Sequence, residues 1–151
     1  MQKKTRTPCV GICSTTYGDE VCRGCKRFYF EVINWNKYDE DEKEAIWMRL
    51  ESLKTQIIYS KIKKINSKKL SSRISELDLK IKTDLNEYCQ VFDLIKLVSE
   101  SFDDLNDFGV TFHDEGINLE ILKKNLEEEL LALSDAHYSK YFKDPLEQKK
   151  A

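Results

Sequence analysis

Glycine and proline are scarce in this 151-residue chain, at five and two. That excludes a collagen-like or low-complexity protein and favours long helices over a loop-rich fold. Histidine is equally sparse, with only His113 and His137. No run of about 18 apolar residues is present, which excludes a membrane-spanning helix. The start, Met1-Gln2-Lys3-Lys4-Thr5-Arg6-Thr7-Pro8, is basic but is followed by no apolar stretch of the kind a secretory signal needs, so a cytoplasmic location is expected. Also missing are a phosphate-binding glycine loop, a dinucleotide fingerprint and a nucleophile elbow. These absences leave no evident small-molecule substrate and favour a non-enzyme.

Hydrophobic residues make up 40% of the chain and charged residues 34%, which suits a folded protein with a heavily charged surface. The length fits one ordinary domain, or a small module with a companion. The net charge of −2 is unevenly spread. Residues 1–73 hold 16 Lys and Arg against 9 Asp and Glu, and the remaining residues reverse this with 9 against 18. A basic front half can meet nucleic acid or another anionic partner; equally, the two halves can attract each other or keep the protein soluble.

Four of the five cysteines fall within 17 residues, as Cys9, Cys13, Cys22 and Cys25 in the pattern C-x3-C-x8-C-x2-C. In a reducing compartment such a cluster is a ligand set rather than two disulfides. Thiolates suit soft and borderline metals, and a Cys-x-x-Cys pair binds one ion through a tight turn. In Cys22-Arg23-Gly24-Cys25-Lys26-Arg27, Gly24 is the residue expected to supply a positive φ. Arg23, Lys26 and Arg27 offset the double negative charge of a four-thiolate zinc site, and are also candidate anion or nucleic-acid contacts. Zinc in a closed structural site and an iron–sulfur cluster both take four thiolates, and both remain open. Residues 8–27 carry few large apolar side chains (Val10, Ile12, Tyr17, Val21), too few to order the segment alone. Bound zinc contributes on the order of 10–16 kcal/mol in small peptides, enough to order it.

Pro8-Cys9-Val10-Gly11-Ile12-Cys13, then Gly18-Asp19-Glu20-Val21-Cys22-Arg23-Gly24-Cys25-Lys26-Arg27, then Glu31-Val32-Ile33-Asn34-Trp35, resembles the bacterial domain of unknown function 1289. The continuation from Tyr38-Asp39-Glu40-Asp41-Glu42-Lys43 to Arg49-Leu50 matches as well, so the resemblance covers about residues 7–53. It implies an iron–sulfur protein, a description that itself rests on the cysteines, and it implies no catalytic residue. The rest of the chain looks like the helical extension of longer members.

Periodicity predicts a mainly α protein: a four-cysteine knuckle at the N-terminus followed by a helical domain, with room for one or two short strands. Phe28 to Trp35 reads as a short helix. Asp39 and Glu42 form a capping box that opens a long helix over 40–65, with Ile46, Leu50, Leu53 and Ile57 as its buried stripe. Further helices are expected over 85–105 and 119–133, and a last one capped by Ser134 or Asp135 runs to Phe142. Strands fit 76–82 and 109–113. The expected organisation is a metal module with its following helix (1–58), a basic linker or helix end (59–74), a helical C-terminal domain (75–145) and a disordered tail (146–151). Cys89 reads as a small buried hydrophobe. His113, beside Asp114 and Glu115, and His137 read as surface or packed histidines.

Taken together, these features describe a non-enzymatic, metal-stabilised binding or adaptor protein whose partner is protein or nucleic acid. Two alternatives stand beside it: an iron–sulfur redox or sensing protein, and a nucleic-acid-binding zinc module.

Overall fold

A computed structural model describes residues 6–11, 13–82 and 84–143, apart from the side chain of residue 143. The expected disordered tail at 146–151 lies outside the described residues. The fold is mainly α: the described residues form α1 (Tyr29–Asn34), α2 (Glu40–Tyr59), α3 (Ser67–Glu76), α4 (Glu87–Val98) and α5 (Leu119–Tyr138). The strands β1 (Ile62–Ile65) and β2 (Val110–Phe112) form one antiparallel pair. The chain divides into two compact units, Met1–Leu53 with Leu130–Ala151, and Lys54–Glu129.

In the first unit the capping box forms as expected. Asp39 Oδ1 accepts from the Glu42 N–H at 2.8 Å, and Glu42 Oε1 accepts from the Asp39 N–H at 3.3 Å, satisfying two otherwise orphaned donors at the start of α2. Trp35, Ile46 and Leu50 pack into one buried group, and Val21, Phe28 and Tyr138 into another. Glu31, on α1, is only 5% exposed. Its carboxylate accepts from the Phe28 N–H at 2.8 Å and takes both arms of the Arg49 guanidinium, at 2.6 and 2.7 Å. That guanidinium lies 4.1 Å from the centre of the Phe28 ring.

In the second unit the stretch 59–74, read as a helix end and basic linker, instead carries β1 and most of α3. Ile57, Ile58, Ile62 and Ile65 fit a helical stripe, yet α2 stops at Tyr59 because Ile62–Ile65 finds a partner strand in Val110–Phe112. A register irregularity between Ile62 and Lys64 turns both Lys63 and Lys64 outward. Asn66 then caps α3 by accepting from the Lys69 N–H at 3.1 Å, and the helix buries Leu70 and Ile74, four residues apart on one face. The expected strand over 76–82 is absent: α3 runs to Glu76 and irregular backbone follows. The strand expected near 109–113 is β2, its Val110 and Phe112 buried and Thr111 exposed.

Asn86 caps α4, which buries Cys89, Val91, Phe92, Leu94, Ile95 and Val98 and ends seven residues before the expected position 105. Beyond it Asp104 Oδ1 accepts from the Asn106 N–H at 3.0 Å, a local bond that competes with helix. The two expected C-terminal helices are one, α5, because Ser134 continues the helix rather than capping a new one and is buried. Its Leu122, Leu126 and Leu130 recur every four residues.

Gly109 closes the turn before β2 at φ +75°. A Cβ there would stand 2.8 Å from Asn66 Cβ and 3.0 Å from Lys69 Cβ. Both the backbone conformation and the space therefore demand glycine, and Gly109→Ala is expected to lower stability by about 1–3 kcal/mol in denaturant unfolding. A change below about 0.5 kcal/mol would contradict that packing.

Candidate metal centre

Backbone bonding shapes the second cysteine pair. Val21 and Phe28 form an isolated antiparallel bridge that brackets the turn between them. Inside it the Cys22 N–H donates to Arg27 O and the Lys26 N–H to Cys22 O, both at 2.8 Å. The positive φ falls on Lys26, at +65°, and not on Gly24. A lysine tolerates this position because its ammonium donates to Arg23 O and Gly24 O, at 2.5 and 3.1 Å, and ties the turn's own carbonyls together.

The two sulfurs of this turn sit in a donor-rich pocket. Burial pushes the Cys22 thiol pKa up, but N–H donors of Cys25, Ser14 and Gly24, with the Cys25 side chain, outweigh it and bring the value down to about 7. Burial raises Cys25 above the ordinary cysteine range, opposed by the hydrogen bond and charge of Arg27. Arg27 Nε donates to Cys25 Sγ at 3.2 Å. Ser14 couples the earlier segment to the turn, since its Oγ accepts from the Arg23 N–H at 2.8 Å. Cys13, its neighbour, makes a 2.8 Å hydrogen bond with Thr15 Oγ1. Cys9 is exposed, and its sulfur accepts from the Gly11 N–H at 3.4 Å.

The donor chemistry of Cys22 and Cys25 fits a metal bound through thiolates, because N–H groups already point at the sulfur that would carry negative charge. Cys9 and Cys13 are held by local bonds of their own. Among the described residues no three His, Cys, Asp or Glu side chains are gathered closely enough to hold an ion. Cys89 is buried on α4, as expected of a small hydrophobe.

The three basic residues separate. Arg23 is exposed and pairs with Asp19 at 3.3 Å. Lys26 and Arg27 are 2% and 3% exposed, turned inward and away from any surface anion. Sequence reading had no means of sorting them, because adjacent basic residues in a turn look alike until the backbone assigns their directions.

His113 is exposed, whereas His137 is packed, its ring 5.9 Å from Phe28 and 4.7 Å from Tyr141. Burial lowers its pKa, the positive charges of Arg49 and Lys140 lower it further, and Glu31 opposes them. The fold therefore favours the neutral ring. Its contribution to stability is complete above the ordinary value of about 6.5 and is lost as pH falls from there through the depressed folded value. The His137 ring is expected to titrate below about 6.5 by NMR, and His137→Phe to remove that part of the acid sensitivity. A midpoint above 6.5 would reverse the sign.

No curated protein and no solved structure matches the chain. Residues 7–54 match the family model described as "Protein of unknown function (DUF1289)", which spans all four clustered cysteines, α1 and most of α2.

Proposed function

Given that residues 7–54 belong to the DUF1289 family of unknown function, we propose that this chain is a non-enzymatic, metal-stabilised binding protein in which Cys9, Cys13, Cys22 and Cys25 hold one metal centre. The observation that carries this reading is the Cys22–Cys25 turn, where N–H donors from three residues converge on a single sulfur whose pKa falls to about 7. Thiolate is the form that binds metal, so a sulfur with this environment loses its proton to a metal at little cost near neutrality. Cys9 and Cys13 would complete a four-thiolate set, and Ser14 tethers their segment to the turn. A bound ion would supply cross-linking of a segment poor in apolar side chains, and a cluster in the same place would add electron exchange.

A binding role is supported by the surface beside the cysteines. Tyr17, Ile33 and Tyr29 are 88%, 71% and 42% exposed. A cavity of about 460 Å³ is lined by Cys13, Glu20, Tyr29, Val32 and Ile33 among others. Tyr29 and Ile33, both lining that cavity, offer apolar surface to a partner beside the polar Glu20. A nucleic-acid role for the knuckle is the weaker reading, since Lys26 and Arg27 face inward.

Elemental analysis beside an optical spectrum, on protein purified without oxygen, tests the proposal. One zinc per chain and a colourless solution identify a structural site; iron with sulfide and a brown colour identify a cluster. Protein that carries no metal and takes up none when offered it would end the reading.

A further inference from the structure

We propose that a cavity of the second unit binds a short zwitterionic peptide with apolar side chains. Lys63 and Lys64 take its carboxylate, and Asp104, Asp114 and Glu115 take its ammonium. The inference stands apart from the cysteine reading, because every residue it uses lies between Lys54 and Glu129. The cavity holds about 500 Å³, a volume typical of sites that enclose a small ligand. Leu105, Val110, Phe112 and Leu119 give it an apolar lining, and all four are buried. The two lysines and three carboxylate residues that share this lining are exposed. Strand geometry explains why both lysines are there. Neighbouring side chains of a regular strand point to opposite faces, so one of two adjacent lysines would be turned away. The register irregularity between Ile62 and Lys64 leaves both exposed at the cavity.

These charges are left open. Lys61 and Arg73, before and after the two lysines in the chain, pair with Glu129 and Glu76, each at 3.2 Å. Among the described residues Lys63 and Lys64 form no ion pair, and neither do Asp104, Asp114 and Glu115. Opposite charges thus share one cavity while standing too far apart to neutralise each other. Two of the carboxylates are fixed by backbone. Asp104 Oδ1 accepts from the Asn106 N–H at 3.0 Å, and Asp114 Oδ1 from the Gly116 N–H at 3.2 Å. Groups held in advance lose little freedom when a ligand arrives. A ligand of one charge would leave the other sign in the cavity uncompensated, at the cost of its displaced water. A free amino acid carries both signs, but on one carbon, too close together for groups that do not reach each other. A peptide of two or three residues separates its charges and brings apolar side chains to the lining.

The test titrates the full chain with the dipeptide Leu-Phe, followed by calorimetry and by NMR of the protein amides. Shifts are expected at residues that line the cavity, Asn106, Thr111 and Leu119 among them. Acetylating the peptide N-terminus or amidating its C-terminus is expected to weaken binding about fivefold in each case. Raising salt to about 0.5 M should weaken it too, because these charges are open to solvent. Lys63→Gln with Lys64→Gln is expected to weaken the free peptide about fivefold and to leave the amidated one unchanged. Glu115→Gln is expected to weaken the free peptide and to spare the acetylated one. Loss of fold would weaken every peptide alike, so this selectivity reads the charges themselves. Leu-Phe that does not bind at millimolar concentration would overturn the proposal. A doubly capped peptide that binds as well as the free one would overturn it, and so would shifts that fall outside the cavity. Free leucine binding as tightly as Leu-Phe would overturn the peptide assignment.

Discussion

Replacing Cys22 and Cys25 together by serine is expected to abolish metal binding and to release the segment around the turn from its fold. The turn lies between Val21 and Phe28, and its order depends on bonds that converge on sulfur and on the turn's carbonyls. Structural zinc contributes on the order of 10–16 kcal/mol in peptides with no core of their own. Here Val21 and Phe28 supply part of the order by packing with Tyr138, so the loss is smaller and local. Hydrogen exchange should report it as a loss of amide protection in residues 13–27 of about a hundredfold or more, with the buried amides of α4 unchanged. Treatment of the native protein with a strong chelator should produce the same pattern. Retained protection in the doubly substituted protein would show that apolar packing orders the turn without metal.

The second large effect is expected at Arg49. Arg49→Met would leave the Glu31 carboxylate, 5% exposed, bonded to the Phe28 N–H but without the charge that balances it. Breaking a buried pair by removing one partner typically costs 3–5 kcal/mol, and about that loss is expected in denaturant unfolding. The stacking of the guanidinium on Phe28 goes with it. Glu31→Gln together with Arg49→Met removes the stranded charge, and the pair should recover part of the loss, giving a coupling of about 1–3 kcal/mol in the double-mutant cycle. Additive losses would mean that the two side chains act independently despite their 2.6 Å contact.

Much of the candidate site was legible without coordinates. The spacing of four cysteines, the helix start at Asp39, and the basic residues after Cys22 are local features, and local features are what a sequence displays. Glu31 was not singled out, although a glutamate three residues after Phe28 carries the signal of a carboxylate reaching back to cap a helix start. Its pairing with Arg49, eighteen residues away, had no local trace.

By itself the sequence determined the helical class, the spacing of the cysteine cluster, and the start of a helix at Asp39. Those follow from spacing along one chain segment. Tertiary structure alone decided that Ile62–Ile65 leaves the helical pattern for a strand, because pairing with Val110–Phe112 satisfies backbone groups that no neighbouring residue reveals. It likewise decided that Lys26 and Arg27 turn inward while Arg23 stays in solvent, since direction in a turn is set by hydrogen bonds that close only when distant backbone comes together.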